Sequence, residues 1–325
     1  MKIFFRKIIG NIYFQEVLKK LEKNPVFYHY KSPKVINGNA IAKNYSQKNI
    51  NSLTEVEFQI FSQFGDDGII QWLIQNLPIK HKTFIEFGVE DYTESNTRFL
   101  LVNNYWSGLV IDGSKPNVQQ IKSDPISSYF DIQALHSFIT AENINELIQE
   151  AKFHEEVGIL SIDVDGNDYW IWKAIHVINP VIVIIEYNSF FGFNVPFTIP
   201  YQSNFVRGIS TPIGYWGASL LSLSDLANEK GYSFVGCNSA GNNAYFIRND
   251  FIASLPYQLP SLENGFVFGI FSEVKSNDGE IIRGIEKMNN IHQHSFFNTR
   301  TQTIDKFDAE KIISELKASD KLNRF

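Results

Sequence analysis

Polar side chains collect at the ends of apolar, β-branched runs, and these are the residues with chemistry to offer. The run 157–162 (VGILSI) empties into Asp163, Val164 and Asp165, and the run 181–185 (VIVII) into Glu186, Tyr187 and Asn188. If the two runs are neighbouring strands, their carboxylate and amide oxygens converge on one end of a sheet. Such a group suits Mg²⁺ or Mn²⁺, which take carboxylate, amide and water oxygens as ligands. Asp163, Asp165 and His136, in that order, are also candidates for removing a proton from a hydroxyl. His136 follows an apolar residue in a weakly marked strand, so a structural histidine is the competing reading. Two earlier runs end in the same way. The run 83–88 (TFIEFG) closes on Glu86 and Gly88, where a missing side chain lets a ligand approach the backbone. The run 109–112 (LVID) closes on Asp112, twenty-four residues beyond Gly88, where a carboxylate can accept both hydroxyls of a ribose. The alternative for Asp112 is a turn-forming Asp before Gly113.

These carboxylates can meet only if the strands lie side by side and parallel, and the order of segments supplies that. From residue 83 onward, short β-branched or aromatic runs alternate with helical patterns, which signals repeated βα units. Helices are expected at 95–104, at 115–122, from Thr140 as N-cap through Ile144, Leu147 and Ile148, and at 169–178. A less distinct third strand falls within 129–139. A helix at 219–230 then leads into strands at 232–237 and 244–248, and the polar SAGNN between them makes an antiparallel hairpin. The expected fold is α/β: a Rossmann-like, doubly wound, mostly parallel seven-stranded sheet with a C-terminal antiparallel hairpin, plus helical N- and C-terminal extensions. Its parts are a helical extension and linker at 1–55, a catalytic domain at 56–252, and a C-terminal extension at 253–325 with a final helix near 309–317. In open sheets of this kind ligands bind beyond the carboxyl ends of the strands.

A chain of 325 residues with 44% hydrophobic and 14% aromatic side chains can bury one large core. The net charge of −6, with no window dominated by Lys and Arg, argues against a nucleic-acid partner and for a small-molecule or glycan acceptor. The single Cys237 cannot form an internal disulfide and suits a reducing, cytoplasmic setting. Residues 1–24 place Lys2, Arg6 and Lys7 among apolar side chains, but the apolar run is too short to span a bilayer and lacks a secretory cleavage pattern. They read as an amphipathic helix packing on the domain or on a second subunit of a homo-oligomer, with weak membrane association as the alternative. The stretch 188–216 is long for a connection, rich in aromatics, and contains Arg207. It reads as a lid or acceptor wall, with rings to stack on sugar faces and Arg207 to pair with a phosphate or carboxylate of the acceptor, or as a dimer interface, and Tyr187 just before it is a further candidate for touching the acceptor.

FSQFGDDGIIQWLI, FIEFGVEDYTESNTRFLL, LVIDGSKPN, ILSIDVDGNDYWIWKAI and VIVIIEYN, in that order, resemble the class I S-adenosylmethionine-dependent methyltransferases, and among them the FkbM-like and related bacterial glycan-cluster enzymes. The resemblance implies that Glu86 and Gly88 border the methionine part of S-adenosylmethionine, that Asp112 holds its ribose, and that Gln63 or Asp67 approaches its amino or carboxylate group. Adenine would lie near the loop before Thr140. It also implies a divalent ion held by Asp163, Asp165, Glu186 and Asn188 that activates an acceptor hydroxyl for O-methylation, with surface-glycan biosynthesis as the setting. Without metal, Asp163 could contact the cofactor and Asp165 could cap the helix beginning near Asn167. One departure stands out: the family's first-strand loop carries further glycines, or an Asn and a Gly, where this chain has Glu90 and Tyr92. Two other functions compete. Asp163-Val164-Asp165 is a literal DxD, as in metal-dependent glycosyltransferases, and the altered loop suits a methyltransferase-like binding module without catalysis. A nicotinamide-dependent oxidoreductase is disfavoured because no GxGxxG follows the first strand.

Overall fold

The computed structural model describes residues 32–153, 156–208, 211–269 and 284–322, together with the backbone of short strands at 274–275 and 281–282. The amphipathic helix expected within 1–24 lies outside the described residues. The strands are β1 (Thr83–Phe87), β2 (Ser107–Asp112), β3 (Ile132–His136), β4 (Ile159–Ile162), β5 (Ile182–Glu186), β6 (Phe197–Thr198), β7 (Tyr232–Cys237), β8 (Asn243–Arg248), β9 (Val274–Lys275), β10 (Ile281–Ile282), β11 (Ser295–Asn298) and β12 (Thr303–Lys306). Seven of them form one sheet in the order β3-β2-β1-β4-β5-β8-β7. The first five run parallel, and β8 is antiparallel to both neighbours. The chain is thus α/β with a mostly parallel sheet ending in an antiparallel hairpin, as its pattern of runs requires.

Parallel strands are covered on both faces, so they read as continuous apolar runs. Alternation still decides which side each residue packs on. Ile85, Phe87, Leu109, Ile111, Leu160 and Ile162 face one core. Phe84, Val110, Ile159, Ile182 and Ile184 face the other. Helices α1 (Pro33–Tyr45), α2 (Asp66–Asn76), α3 (Arg98–Asn104), α4 (Lys115–Ser123), α5 (Ile144–Glu150), α6 (Asp168–Ala174), α7 (Leu220–Glu229) and α8 (Ala309–Ala318) complete the layers. No helix among the described residues is long and apolar enough to cross a membrane.

Three departures from the sequence pattern have local causes. Residues 33–45, read as part of a linker, form α1 instead. Ser32 caps it, Pro33 opens it, and its narrow stripe of Val35, Gly38 and Ala42 is buried. A Cβ on Gly38 would come 2.8 Å from Ile60 and Phe99, so the helix lies close against the second core. Helix α3 starts at Arg98 rather than at Ser95, because Ser95, Asn96 and Thr97 donate hydrogen bonds to Glu86. Helix α6 ends at Ala174 because the Asn145 side chain donates to the Ala174 carbonyl and accepts from the His176 amide.

The C-terminal segment is built into the first core. β11 pairs with β6 in a second sheet of order β12-β11-β6, and Phe296 sits 4.9 Å from Phe191 between ring centroids. Met288, Ile291, Phe307, Ile312 and Leu316 are buried in the same cluster as the β4 and β5 side chains.

Candidate active site

A cleft of about 370 Å³ opens beyond the carboxyl ends of β1, β2, β4 and β5, where the strand order reverses beside β1. That is the place where open α/β sheets bind ligands. Seven carboxylates line it (Glu86, Glu90, Glu94, Asp112, Asp163, Asp165 and Glu186) against the single guanidinium of Arg207.

On the β1 side, Glu86 accepts hydrogen bonds from Ser95 Oγ, Thr97 Oγ1 and the Asn96 and Thr97 amides. Burial pushes its carboxyl above the usual range, and these donors pull it back. Its anchoring shapes the loop 88–97. Gly88 has φ +70, and a Cβ there would lie 1.6 Å from the Asp163 carbonyl oxygen. The missing side chain therefore admits the backbone after β4, and not a ligand alone. Glu90 and Tyr92, the two departures from the glycine-rich pattern, have φ of 48° and 64°, the left-handed conformation that favours glycine. Tyr92 is held there from inside. Its hydroxyl is 3.0 Å from Thr97 Oγ1, and Arg98 Nη1 donates to its carbonyl. The Glu90 side chain stays exposed and its amide donates to Asp112 Oδ2 at 2.8 Å. Asp112 Oδ1 accepts from the Ser114 amide and from Asn117 Nδ2, so the turn-forming role of Asp112 is real. These three bonds take most of the roughly four acceptor sites of a carboxylate, and the free one is on Oδ2 of this cleft-lining residue.

The opposite wall is the turn after β4. Asp168, buried, closes it by accepting the Val164 and Gly166 amides at 2.9 Å, and burial pushes its carboxyl up to about 6. Asp165 does not cap the following helix, which has no side-chain cap: at φ 57 it turns its exposed carboxylate to Arg207 Nη1, while Asp168 closes the turn that precedes the helix. Arg207 Nη1 also stands 3.9 Å from Glu186 Oε1, and its guanidinium lies 4.3 Å above the Trp216 ring. Asp163, Asp165 and Glu186 offer oxygens within 4.8 Å of one another. Burial and the negative charges of Asp165 and Asp168 push Asp163 up to about 8. Burial and Asp163 push Glu186 well upward too, and its Oε2 has no hydrogen-bond partner.

The cleft brings together Gln63, Glu86, Gly88, Asp112, Asp163, Asp165, Glu186 and Arg207. Four other expected site residues are placed elsewhere. Asp67 Oδ2 is taken by the amides of Ile60, Phe61 and Ser62 and by Ser62 Oγ. Asn188 is fully buried, donating to the carbonyls of Gly214 and Trp216 and accepting the Phe190 amide, and it does not line the cleft. Tyr187 is buried on the far side of its strand, where its hydroxyl donates to the Val267 carbonyl. His136, exposed at the end of β3, has its ring nitrogen 3.2 Å from the Gly113 carbonyl and does not line the cleft. Sequence reasoning missed Phe138, an exposed ring at the cleft edge beside Ser137 and Ile139. It also missed Asn243, whose amide is tied to buried Asp66. An exposed aromatic after a strand end was the available signal for the first; nothing local marks the second.

The chain matches no protein-family model and no curated protein. It is similar to several solved structures at low identity. An S-adenosylmethionine-dependent methyltransferase from Clostridium acetobutylicum is 10% identical, over 65% of this chain and 98% of that one, with a TM-score of 0.37. An O-methyltransferase from Bacillus cereus in complex with SAH is 14% identical, over 66% and 90%, also at 0.37. The N-terminal domain of EvdMO1 with SAH bound is 10% identical, over 64% and 94%, at 0.38. Likeness at this level says nothing of the chemistry of this chain.

Proposed function

We propose that this chain is an S-adenosylmethionine-dependent methyltransferase that methylates a hydroxyl of a small, carbohydrate-like acceptor. The observation that carries the reading is a junction: Asp112 after β2, the left-handed loop 88–92 after β1, and the carboxylates after β4 and β5 meet in one cleft. The residues present fit the donor. Asp112 keeps an acceptor site on Oδ2 for a ribose hydroxyl, Glu90 and Tyr92 reproduce the left-handed backbone of a glycine-rich loop, and Phe138, Ile139 and Ile111 give adenine an apolar edge. Gln63 stands beside Glu86 for the polar end of the methionine part.

When bound, S-adenosylmethionine supplies an electrophilic methyl group on a sulfonium. The chain's own task is to align the acceptor hydroxyl in line and to take its proton. Asp163 and Asp165 line the cleft as candidate proton acceptors, Asp163 once it has given up its own proton near pH 8 and Asp165 from its place beside Arg207. The trio Asp163, Asp165 and Glu186 would also hold Mg²⁺ or Mn²⁺, a Lewis acid that would lower the acceptor hydroxyl's pKa. The orphan Glu186 Oε2 suits such an ion, while Arg207 offers the trio a positive charge of its own.

Isothermal titration with S-adenosylmethionine and S-adenosylhomocysteine, with and without Mn²⁺, tests the reading. Micromolar binding weakened at least about tenfold in Asp112→Ala is the expected result. Absence of binding to the unmodified chain under both conditions would sink it and return the choice to a DxD glycosyltransferase or a non-catalytic module.

A further inference from the structure

We infer that a groove on the far side of Phe205 is the outer half of the acceptor site, and that it takes an anionic group, phosphate or carboxylate, carried on a polyhydroxylated acceptor. The inference rests on the proposal that the acceptor reacts in the acidic cleft.

The two spaces share a wall. Phe205 lines both, and its ring packs on the acidic turn so closely that a Cβ on Gly166 would fall 2.4 Å from it. The outer groove, about 880 Å³, is walled by the C-terminal sheet. Their charges are opposite. Seven carboxylates line the inner cleft, whereas the groove has none among its lining residues and presents the ammonium of Lys306, with the His294 ring in the same wall. Lys306 is exposed, sits opposite Ser295 in the β11–β12 register, and donates from Nζ to Ser295 Oγ at 3.0 Å. It pairs with no carboxylate among the described residues. Arg207, by contrast, is already bound to Asp165.

The rest of the wall suits hydroxyls and ring faces. Tyr215 is braced by its hydroxyl donating to the Ser295 carbonyl and by Phe296 at 4.7 Å, and the His294 ring lies 6.0 Å from it. Gln293 holds φ 61, a conformation uncommon for its type, while its amide donates to the Phe307 carbonyl. An anion entering the inner cleft meets repulsion, and one entering the groove meets Lys306. That polarity orients the acceptor with its reactive hydroxyl inward and its charge outward.

Binding of glucose 6-phosphate, glucuronate and glucose, measured by titration on the full chain and on Lys306→Gln and His294→Gln variants, tests this. At least one anionic sugar should bind about tenfold more tightly than glucose, and Lys306→Gln should remove most of that difference while leaving glucose unchanged. The phosphate and carboxylate arms tell which anion is preferred. Equal binding of all three, no binding of any, or an unaffected Lys306→Gln variant overturns the inference. Titration of S-adenosylhomocysteine on the same samples separates the two proposals: sugar-anion binding without it keeps the groove and removes methyl transfer, and the reverse removes the groove alone.

Discussion

Gly88 shows how little room the junction of β1 and β4 leaves. A side chain there must accept φ +70 and also displace the Asp163 carbonyl, 1.6 Å from a built Cβ. Gly231 has φ +82 but nothing within 4 Å of its Cβ position. The two alanine variants therefore separate backbone strain from collision. Gly231→Ala should cost about 1 kcal/mol, and Gly88→Ala at least about 3 kcal/mol. Equal losses in urea unfolding would show that the strand ends part freely. Glu186 makes the complementary case. Burial and the neighbouring Asp163 favour its protonated form, which glutamine imitates in shape. Glu186→Gln should keep stability within about 0.5 kcal/mol yet weaken Mn²⁺ binding, followed by the ion's electron paramagnetic resonance, about tenfold or more. A large loss of stability would mean that the fold uses the ionised carboxylate.

The loop 59–65 owes its form to Asp67 in the first turn of α2, and through it Gln63 reaches the cleft. Burial raises the Asp67 carboxyl from 3.8 to about 6 although four donors oppose the shift. A folded pKa above the unfolded one means that the folded chain holds the proton more tightly. The resulting stability is complete below about pH 4 and is lost as pH rises through about 6, amounting to about 3 kcal/mol. In denaturation series from pH 4 to 7, Asp67→Asn, which imitates the protonated carboxyl, should stay close to the unmodified chain at pH 4 and remove this group's contribution to the slope above it. An unchanged slope would assign the pH dependence elsewhere. Asp67 also illustrates what a sequence conveys about an element. Residue type and place beside the first strand are legible, but the amides of residues 60–62 that fill the carboxylate belong to a bend without periodicity. For the same reason Asp112, Asp163 and Glu186 were readable as strand ends, while the turn-closing Asp168 and the carbonyls that claim Asn188 were not.

Across the whole molecule, alternating βα runs made the parallel sheet and its hairpin legible, because each element carries its own period. Apart from its final helix, which the sequence marked near 309–317, the C-terminal segment carried no such sign. Its few apolar residues find partners about a hundred positions away, Phe296 on Phe191 and Phe197, and such contacts have no local pattern. The segment shares the first core with β4 and β5, pairs with β6 and walls the outer groove, so that core is incomplete without it. Phe296, Phe307, Ile312 and Leu316 are each at most 3% exposed. Burying four such side chains contributes about 6–12 kcal/mol at about 1.5–3 kcal/mol each, comparable with the whole stability of an ordinary domain, about 5–15 kcal/mol. A chain ending at residue 252 should therefore lose its cooperative thermal transition and bind a hydrophobic dye, with Phe191, Phe197 and Tyr215 uncovered. If it instead melts cooperatively and still binds S-adenosylhomocysteine, residues 56–252 are an independent unit and the C-terminal sheet serves the acceptor alone.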